Sequence, residues 1–373
     1  MANLYNKVII FNKQIENKKI ELGKLVTVKS GKSVKSEYGQ NLYGSTGIIG
    51  KTSDGIYDGD VNIIARVGAN TGYNYFIEED KKYGVSDNAL IVIPREKDSN
   101  PKFYYYYLST LHLKKLSFGS GQPLITATQL KKIKVQSYNI DFQDCLAFFL
   151  SQIDNLIKSH DIKINRLRSV KVHYINYYFN NLDRDTVEYN LSELVDSSRG
   201  KGIQKDDLNE NGKYKCILYG ELFTKYSSVI SNVKSRTDSL EGISSFGNEV
   251  LLPSSTTTGA REIAIASALL EKNVKIGSDI IILRCKKKIY NQYLAYYLRY
   301  YSWKEISKVA VGITIIHLYA KDIMDISIKV PALEKQKDFI NMLSSMEKLI
   351  EIEKKKMDQL ELMKKYYLQQ FFS

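Results

Sequence analysis

"QLKKIKVQSYNIDFQDCLAFFLSQIDNLIKSHDIKINRLRSVKVHYINYYF" (residues 129–179) has a second version later in the chain, "DIMDISIKVPALEKQKDFINMLSSMEKLIEIEKKKMDQLELMKKYYLQQFF" (residues 322–372). The two stretches align without a gap at a shift of 193 residues, which places Leu150 on Leu343 and Phe179 on Phe372. Self-similarity over such a distance indicates an internal repeat. This repeat decides the fold, because both copies are expected to form the same structure.

The apolar residues of both stretches follow the three-four spacing of a long amphipathic helix. They are Leu146, Leu150, Ile153, Ile157, Ile164, Leu167 and Tyr174 in the first copy and Phe339, Leu343, Met346, Ile350, Met357, Leu360 and Tyr367 in the second. Such a stripe is typical of a coiled-coil seam, and a helix over residues 142–180 would be roughly 58 Å long. Each helix needs a partner for its stripe, so we expect the two to pair antiparallel about a pseudo-two-fold axis.

Polar residues interrupt the predicted seam at equivalent positions of the two copies. His160 and Glu353 share one position, and Lys171 and Lys364 share another. Polar seam residues fix the register of a coiled coil or extend their charged ends to the helix surface. We therefore expect a structural role for them and no chemistry.

The regions that precede the long helices repeat more loosely. "ELGKLVTVKSGK" (21–32) resembles "NLSELVDSSRGK" (190–201). Short alternating runs predict strands joined by loops, at residues 61–65, 89–93 and 279–283. We predict an α+β fold with a pseudo-two-fold internal repeat, in which two mixed α/β heads are separated by two long antiparallel coiled-coil helices.

The chain is strongly basic. Lys and Arg number 54 against 41 Asp and Glu, which gives a formal charge of +13, and the pI is near 9.2. Such a balance favours a polyanionic partner such as nucleic acid. The abundance of Lys, Asn, Ile and Tyr is also typical of an AT-rich genome, so charge alone does not establish this partner.

The segment Gly31-Lys32-Ser33 looks like the end of a phosphate-binding loop. Such a loop needs a glycine where this chain has Val26, and it needs a helix after the lysine and the hydroxyl. A β-branched valine does not adopt the turn conformations of glycine, and residues 35–41 have no helical apolar stripe. The sequence therefore predicts a basic turn after a short strand and no nucleotide site.

The cysteines Cys145, Cys216 and Cys285 form no CxxC pair, and the four histidines are scattered. This spacing favours neither a disulfide framework nor a metal site, so we expect no metal. The chain has no run of eighteen apolar residues, and its amino-terminal apolar patch at 8–11 is too short for a signal peptide. We expect a cytoplasmic protein.

Several segments together carry a resemblance to a known family. They are "YGVSDNALIVIP" (83–94) followed by "NPKFYYYYLS", then "SFGSGQPLITATQLKKIKV" (117–135), and "LYAKDIMDISIKVPALEKQ" (318–336). With the order head, long helix, head, long helix, the whole chain resembles the specificity (S) subunit of Type I restriction-modification systems. The sequence departs from the family at 136–141, where "QSYNID" replaces the proline-rich approach to the helix.

This resemblance implies target-recognition domains at 1–140 and 183–332 and conserved helical regions at 141–182 and 333–373. It also implies a non-catalytic subunit without a cofactor of its own, bound to double-stranded DNA. The implied partners are two methyltransferase subunits, which use S-adenosylmethionine to methylate adenine N6, and ATP-dependent restriction (translocase) subunits. The chain agrees with this division, since it lacks an Asn-Pro-Pro-Tyr type motif and a G-x-G-x-x-G loop.

Polar loop residues of the heads are the candidates for DNA contact, since side-chain bonds to base edges give specificity and phosphate contacts give affinity. In the first head they are Lys29, Lys32, Lys35, Arg66, Asn70, Ser120 and Gln122, and in the second Arg199, Lys201, Gln204, Lys205, Lys225, Thr256, Thr257, Thr258 and Arg261. The loops "ARVGANTGYNY" and "PSSTTTGAREI" differ between the heads. We therefore expect two different half-sites and an asymmetric, interrupted target.

Alternative interpretations remain open from the sequence. One is a stand-alone nuclease or methyltransferase with unrecognised motifs, and another is a scaffold whose heads bind proteins. A further question concerns tyrosines that are either a stacking platform for bases or part of the head cores, namely Tyr104 to Tyr107 with Tyr293, Tyr296, Tyr297, Tyr300 and Tyr301. Their helical spacing favours packing in the cores.

Overall fold

A computed structural model describes residues 7–9, 19–96, 99–119, 121–183, 186–259 and 261–372 of the protein. The chain divides into two compact units. Unit 1 comprises Met1–Ile162 and Glu353–Ser373, and unit 2 comprises Lys163–Ile352.

Unit 1 contains short strands, short helices and parts of two long helices. Its strands are β1 (Lys19–Glu21), β2 (Val26–Ser30), β3 (Gln40–Gly44), β4 (Gly47–Thr52), β5 (Val61–Ala65), β6 (Asn74–Ile77), β7 (Gly84–Val85), β8 (Ala89–Pro94) and β9 (Lys134–Gln136). Its short helices are α1 (Leu22–Leu25), α2 (Pro101–Thr110) and α3 (Ala127–Lys131), and they are followed by the long helix α4 (Ile140–Asn180), which continues into unit 2.

The main sheet of unit 1 has the strand order β2-β8-β5-β6, and all neighbours in it are antiparallel. Since antiparallel neighbours alternate in direction, Ser30, Ala65, Asn74 and Ala89 lie at the same edge of the sheet. We call this edge, with the loops that leave it, the loop edge of unit 1. The predicted strands at 61–65 and 89–93 are confirmed.

The tyrosines of α2 belong to the core of unit 1. Phe103, Tyr104, Tyr106 and Tyr107 are buried, and the ring of Tyr107 stacks on that of Phe372, with 4.8 Å between the centroids. Large aromatic side chains contribute most when they are fully removed from water. The packing interpretation of this run is confirmed, because buried rings are not a platform for bases.

Unit 2 likewise combines short strands, short helices and parts of the two long helices. Its strands are β10 (Val187–Asn190), β11 (Val195–Arg199), β12 (Tyr214–Ile217), β13 (Val229–Ile230), β14 (Arg236–Thr237), β15 (Ile243–Phe246), β16 (Glu249–Pro253), β17 (Ser255–Thr256), β18 (Ser267–Leu269), β19 (Lys272–Ile276), β20 (Ile280–Cys285), β21 (Ile316–His317) and β22 (Ser327–Val330). Its helices are α5 (Leu191–Leu194), α6 (Glu221–Thr224), α7 (Asn291–Tyr296), α8 (Trp303–Val309), α9 (Ala320–Ile323) and the long α10 (Leu333–Phe372), which continues into unit 1.

The main sheet of unit 2 has the order β11-β20-β16-β18-β13. Its pairing places Arg199, Pro253, Ser267 and Ile280 at one edge, which we call the loop edge of unit 2. The predicted strand at 279–283 is confirmed as β20. Tyr293, Tyr296 and Tyr297 are buried in this unit, in the manner of the tyrosines in α2.

Both long helices begin against their heads in the same way. Buried Gln143 accepts a hydrogen bond from the backbone N–H of Asn100 at 3.1 Å, and buried Gln336 accepts one from that of Tyr290 at 3.0 Å. Gln143 and Gln336 are equivalent under the shift of 193. The repeat seen in the sequence is therefore a repeat of tertiary contacts.

The long helices run antiparallel within each unit. In unit 1 the Nζ of Lys364 lies 2.6 Å from Asp154 Oδ1, and His160 contacts Glu353. In unit 2 Lys171 contacts Glu347, and farther along α4 the Tyr178 hydroxyl donates to the Lys335 carbonyl at 3.3 Å. Residue numbers fall on α10 as they rise on α4, so the antiparallel prediction is confirmed.

The seam prediction is also confirmed, since each of the fourteen apolar positions named above is buried or half-buried. The polar seam residues pair with charges on the facing helix. In both lysine–carboxylate pairs the carboxylate also accepts a hydrogen bond from a tyrosine hydroxyl. Tyr106 donates to Asp154 at 2.7 Å, and Tyr296 donates to Glu347 at 2.9 Å. Burial, together with these carboxylates, raises the pKa of both phenols, so they remain neutral donors.

Candidate nucleic-acid interface

The basic turn of unit 1 lies at its loop edge. Lys29 is exposed near the end of β2, with its Nζ 5.1 Å from the centre of the Tyr57 ring. Lys32 and Lys35 follow in an exposed, non-helical segment. A Cβ on Gly31 would lie 2.2 Å from the carbonyl oxygen of Ser86, so glycine is required there by backbone packing. The segment after β2 is irregular and opens no helix, whereas a phosphate-binding loop leads into one.

Arg66 follows β5 directly and connects the strands of the loop edge. Its Nη1 donates to Ser30 Oγ at 3.2 Å and to the carbonyl of Asp87 at 3.3 Å, and its backbone N–H donates to the carbonyl of Asn88 at 3.0 Å. The guanidinium is therefore held in one orientation and is only half-exposed. Its orientation is therefore set before any ligand binds, and some of its N–H groups are already used in hydrogen bonds within the protein.

Residues 118–119 and 121–124 lie in a hairpin-like loop beside Arg66, which we call the tip loop of unit 1. Phe118 and Leu124 exchange backbone hydrogen bonds of 3.1 and 3.0 Å, and the Thr71 hydroxyl donates to the carbonyl of Pro123 at 2.9 Å. These contacts bring together the loops that carry Asn70 and Gln122, which are both exposed. The predicted residue Ser120 lies outside the described residues.

The first candidates of unit 2 also lie at its loop edge. Arg199, at the end of β11, donates to Asp279 Oδ1 at 2.7 Å in an exposed ion pair. The segment after β11 carries three exposed candidates, Lys201, Gln204 and Lys205. An exposed ion pair contributes little to stability, so the pairing with Asp279 mainly orients the guanidinium.

Lys225 differs from the other candidates of unit 2 because its ammonium is engaged within the fold. Its Nζ lies 2.6 Å from Glu221 Oε1 and 3.0 Å from Ser235 Oγ. The hydrogen bond to Glu221 raises the pKa of Lys225. Among the candidate lysines of unit 2, this one is therefore the least free to meet a phosphate.

The threonines and Arg261 lie on the loop that follows β16. Thr256 is buried, and its hydroxyl lies 2.9 Å from that of Thr258, whereas Thr257 and Thr258 are exposed. The guanidinium of Arg261 lies 4.4 Å from the centre of the Trp303 ring. A cation over an indole face is favourably placed, and the contact restricts its rotamers.

One loop of unit 2 was missed by the sequence predictions. Val311 and His317 exchange backbone hydrogen bonds of 2.9 and 2.7 Å, and β21 pairs with β17 so that Ile316 faces Thr256. We call residues 311–317 the tip loop of unit 2. The shift of 193 relates Phe118 to Val311 and Leu124 to His317, so extending the ungapped alignment upstream of residue 129 would have found this loop.

The described residues offer no site for metal chemistry, because no group of three or more of their His, Cys, Asp and Glu side chains could hold an ion. A search of the described helices likewise found none with the length and apolar character needed to cross a membrane. The polar groups at the two loop edges can donate hydrogen bonds and present positive charge. Such groups can bind a ligand through hydrogen bonds and electrostatic attraction.

Known proteins resemble this chain over most of its length. Residues 7–169 and 184–362 match the family model described as Type I restriction modification DNA specificity domain. The chain is 25% identical over 313 residues to the Type I restriction enzyme MjaVIII specificity subunit of Methanocaldococcus jannaschii, covering 76% of this chain and 72% of that protein. It is 22% identical over 316 residues to a putative Type I specificity subunit, S.HindORF215P, of Haemophilus influenzae, covering 82% and 80%.

Solved structures show the same fold. The S subunit of the Type I restriction-modification system from M. genitalium superimposes with a TM-score of 0.66 at 18% identity, over 96% of each chain. A chain from a structure of type I R-M complex assembly and conformational transition superimposes with a TM-score of 0.58 at 13% identity, over 96% of this chain and 98% of that one. At these identities the likeness concerns the architecture of the chain.

Proposed function

The chain belongs to the Type I restriction modification DNA specificity family, and from this premise we propose that it reads an asymmetric, bipartite DNA site. Proteins of this kind are specificity subunits, the non-catalytic DNA-recognition components of restriction-modification systems. We assign one half-site to the target-recognition domain at 1–140 and the other to that at 183–332. The helical regions at 141–182 and 333–373 join the two domains.

The observation that carries this proposal is a repeated scaffold with different loop edges. Equivalent glutamines hold both heads to their helices, and equivalent tyrosines hold both seam carboxylates. At the loop edges, in contrast, unit 1 presents Arg66 where unit 2 presents a threonine loop. Two domains that recognise different DNA sequences can share one scaffold and differ in their loops, since contacts to the bases and not the scaffold determine sequence specificity.

The candidates divide by chemistry. Arg66 and Arg261 are oriented by their neighbours, and a guanidinium so placed pairs bidentately with guanine. Gln122, Gln204 and the exposed Asn70 have amide groups that suit adenine. The exposed lysines at 29, 32, 35, 201 and 205 meet phosphates in this proposal and supply most of the salt-dependent affinity.

Surface features of the long helices support the proposed partners. Leu156 and Leu349 are equivalent under the shift of 193, and they are 39% and 49% exposed. An exposed apolar side chain that recurs in both repeats suits two copies of one partner, which in this proposal are the methyltransferase subunits. These subunits bind S-adenosylmethionine and methylate adenine N6, the restriction subunits use ATP, and the assembly acts on DNA in the cytoplasm.

The proposal is tested by mapping N6-methyladenine across the host genome with and without this gene. We expect a single interrupted, asymmetric motif to lose methylation when the gene is deleted. Purified chain alone that cleaves DNA with magnesium, or methylates it with S-adenosylmethionine, would instead establish a stand-alone enzyme. A chain in complex with its methyltransferase whose DNA binding does not weaken with salt would favour a protein-binding scaffold.

A further inference from the structure

The tip loop of unit 2 presents aliphatic side chains to solvent. Ile313 is 99% exposed, Val311 is 53% exposed and Ile315 is 48% exposed. An isolated exposed apolar residue is ordinary, but three on one short loop form a patch that indicates a contact surface.

The backbone conformation of this loop is constrained. Gly312 has a φ of +129°, and a Cβ there would lie 2.0 Å from the carbonyl oxygen of Ile315. The backbone bonds between Val311 and His317 close the loop, and the pairing of β17 with β21 anchors its base. Ile313 is thus displayed on a braced turn.

The base of the tip loop is polar, and two cations lie at the start of the helix that leads into it. The base of the loop adjoins the threonine loop, where Thr257 and Thr258 are exposed. Helix α8, which leads into the tip loop, begins at Trp303, whose ring has the Arg261 guanidinium at 4.4 Å and the Lys304 ammonium at 5.7 Å. An apolar loop with exposed hydroxyl groups at its base, on a unit that also presents cations, suits a polyanion that carries methyl groups in its groove.

The repeat argues that this surface is used for specificity. Under the shift of 193, Ile313 and Ile315 correspond to the polar Ser120 and Gln122, whereas Val311 corresponds to the apolar Phe118. The two tip loops therefore share one apolar position and differ in chemistry at 313 and 315. A surface that binds the same partner subunit in both repeats is expected to recur, as Leu156 and Leu349 do. A surface that differs between the repeats is expected to face the part of the complex that differs, which is the half-site.

We propose that Ile313 and Ile315 contact the 5-methyl groups of thymines in the major groove of the second half-site. Aliphatic side chains recognise thymine through this methyl group, which distinguishes it from the other bases. This inference rests on the proposed function and adds a specificity determinant to it.

The experiment uses the chain in complex with its methyltransferase and duplexes of the mapped target. Each thymine of the second half-site is replaced in turn by deoxyuridine, which lacks the methyl group and keeps every hydrogen-bonding atom. We expect binding to weaken about fourfold at each contacted thymine, which corresponds to the transfer of one methyl group from water. The double variant Ile313→Ser with Ile315→Ser should bind the thymine and deoxyuridine duplexes equally.

Phe118→Ser, an exposed apolar residue at the tip loop of unit 1, is the matched control and should keep the discrimination in the second half-site. Full discrimination in the double isoleucine variant, no deoxyuridine effect with the native complex, or a second half-site without thymine would each overturn the inference. Those results leave sequence-specific binding intact. Loss of all specific binding by the native complex would instead overturn the proposed function.

Discussion

The Nδ1 atom of His160 lies 2.6 Å from the Oε2 atom of Glu353, and the two residues are 193 positions apart, which is the length of the repeat. Each of them therefore contacts its own equivalent. In an antiparallel pair of repeated helices this happens only at the centre of the pairing, since every other position meets the equivalent of a different residue.

The ion pairs on either side of this centre obey the same symmetry. Asp154 contacts Lys364 in unit 1, and their equivalents Glu347 and Lys171 contact each other in unit 2. Two first helices, or two second helices, would form these flanking pairs equally well. The central His160–Glu353 contact would be lost in such a pairing, because two histidines or two glutamates would face each other there. The central pair thus favours pairing between unlike copies, as a polar seam residue specifies partners in other coiled coils.

A fragment ending at Leu182 should form an antiparallel homodimer. It retains one head and one seam, and burial of each large apolar seam residue contributes roughly 1.5 to 3 kcal/mol. With the partner methyltransferase it should methylate an inverted repeat of the first half-site. Sedimentation and methylation mapping test this, and a monomer, or a dimer that still needs the second half-site, would show that the two helices are not interchangeable.

The complementary fragment, residues 183–373, should dimerise more weakly. Its centre would hold two Glu353 carboxylates, and the Glu353 side chain is only 4% exposed in the intact protein, so their repulsion is poorly screened. Replacing Glu353 with Gln should tighten this dimer by on the order of tenfold. In the full-length protein the same change should lower stability, since it removes the carboxylate charge that pairs with Lys356 and contacts His160. Equal dimer affinity for the fragment and its variant would contradict the proposed role of the central pair.

Alkaline pH should destabilise the protein through its buried tyrosines. Burial raises the pKa of Tyr104, Tyr178 and Tyr297 to about 12. Because the folded pKa lies above the unfolded value of 10.0, the stabilisation is complete below pH 10 and is lost as the pH rises through the folded pKa. Urea unfolding at a series of pH values, compared with the Tyr104→Phe variant, measures this loss. The variant should show a shallower decline, and an identical decline would exclude Tyr104 as a source.

Substitutions at the loop edges should separate base reading from phosphate binding. Arg261→Ala should weaken recognition of the second half-site alone, by on the order of 1 to 3 kcal/mol. Lys32→Ala should weaken binding to all sequences and reduce its salt dependence. Titrations on specific and random duplexes at several salt concentrations measure both effects. An equal loss on specific and random DNA for Arg261→Ala would remove this residue from the base-reading group.

The sequence by itself determined the features that depend on local periodicity. The seam from Leu146 to Tyr174, the strands at 61–65 and 89–93 and the long helices were all predicted from spacing, because helices and strands place every third or fourth, or every second, residue on one face. The repeat was visible for the same reason, since equal folds require equal patterns.

The tertiary structure alone decided which side chains meet across long separations. Nothing local to Arg66 indicates that Ser30 and Asp87 orient its guanidinium, and nothing local to Ile313 indicates that β21 pairs with β17 to brace its loop. Such contacts depend on the register of strands far apart in the chain, which is set by the packing of the whole head. The candidate residues were therefore found by their type, but their partners, their freedom and the tip loop of unit 2 emerged only from the fold.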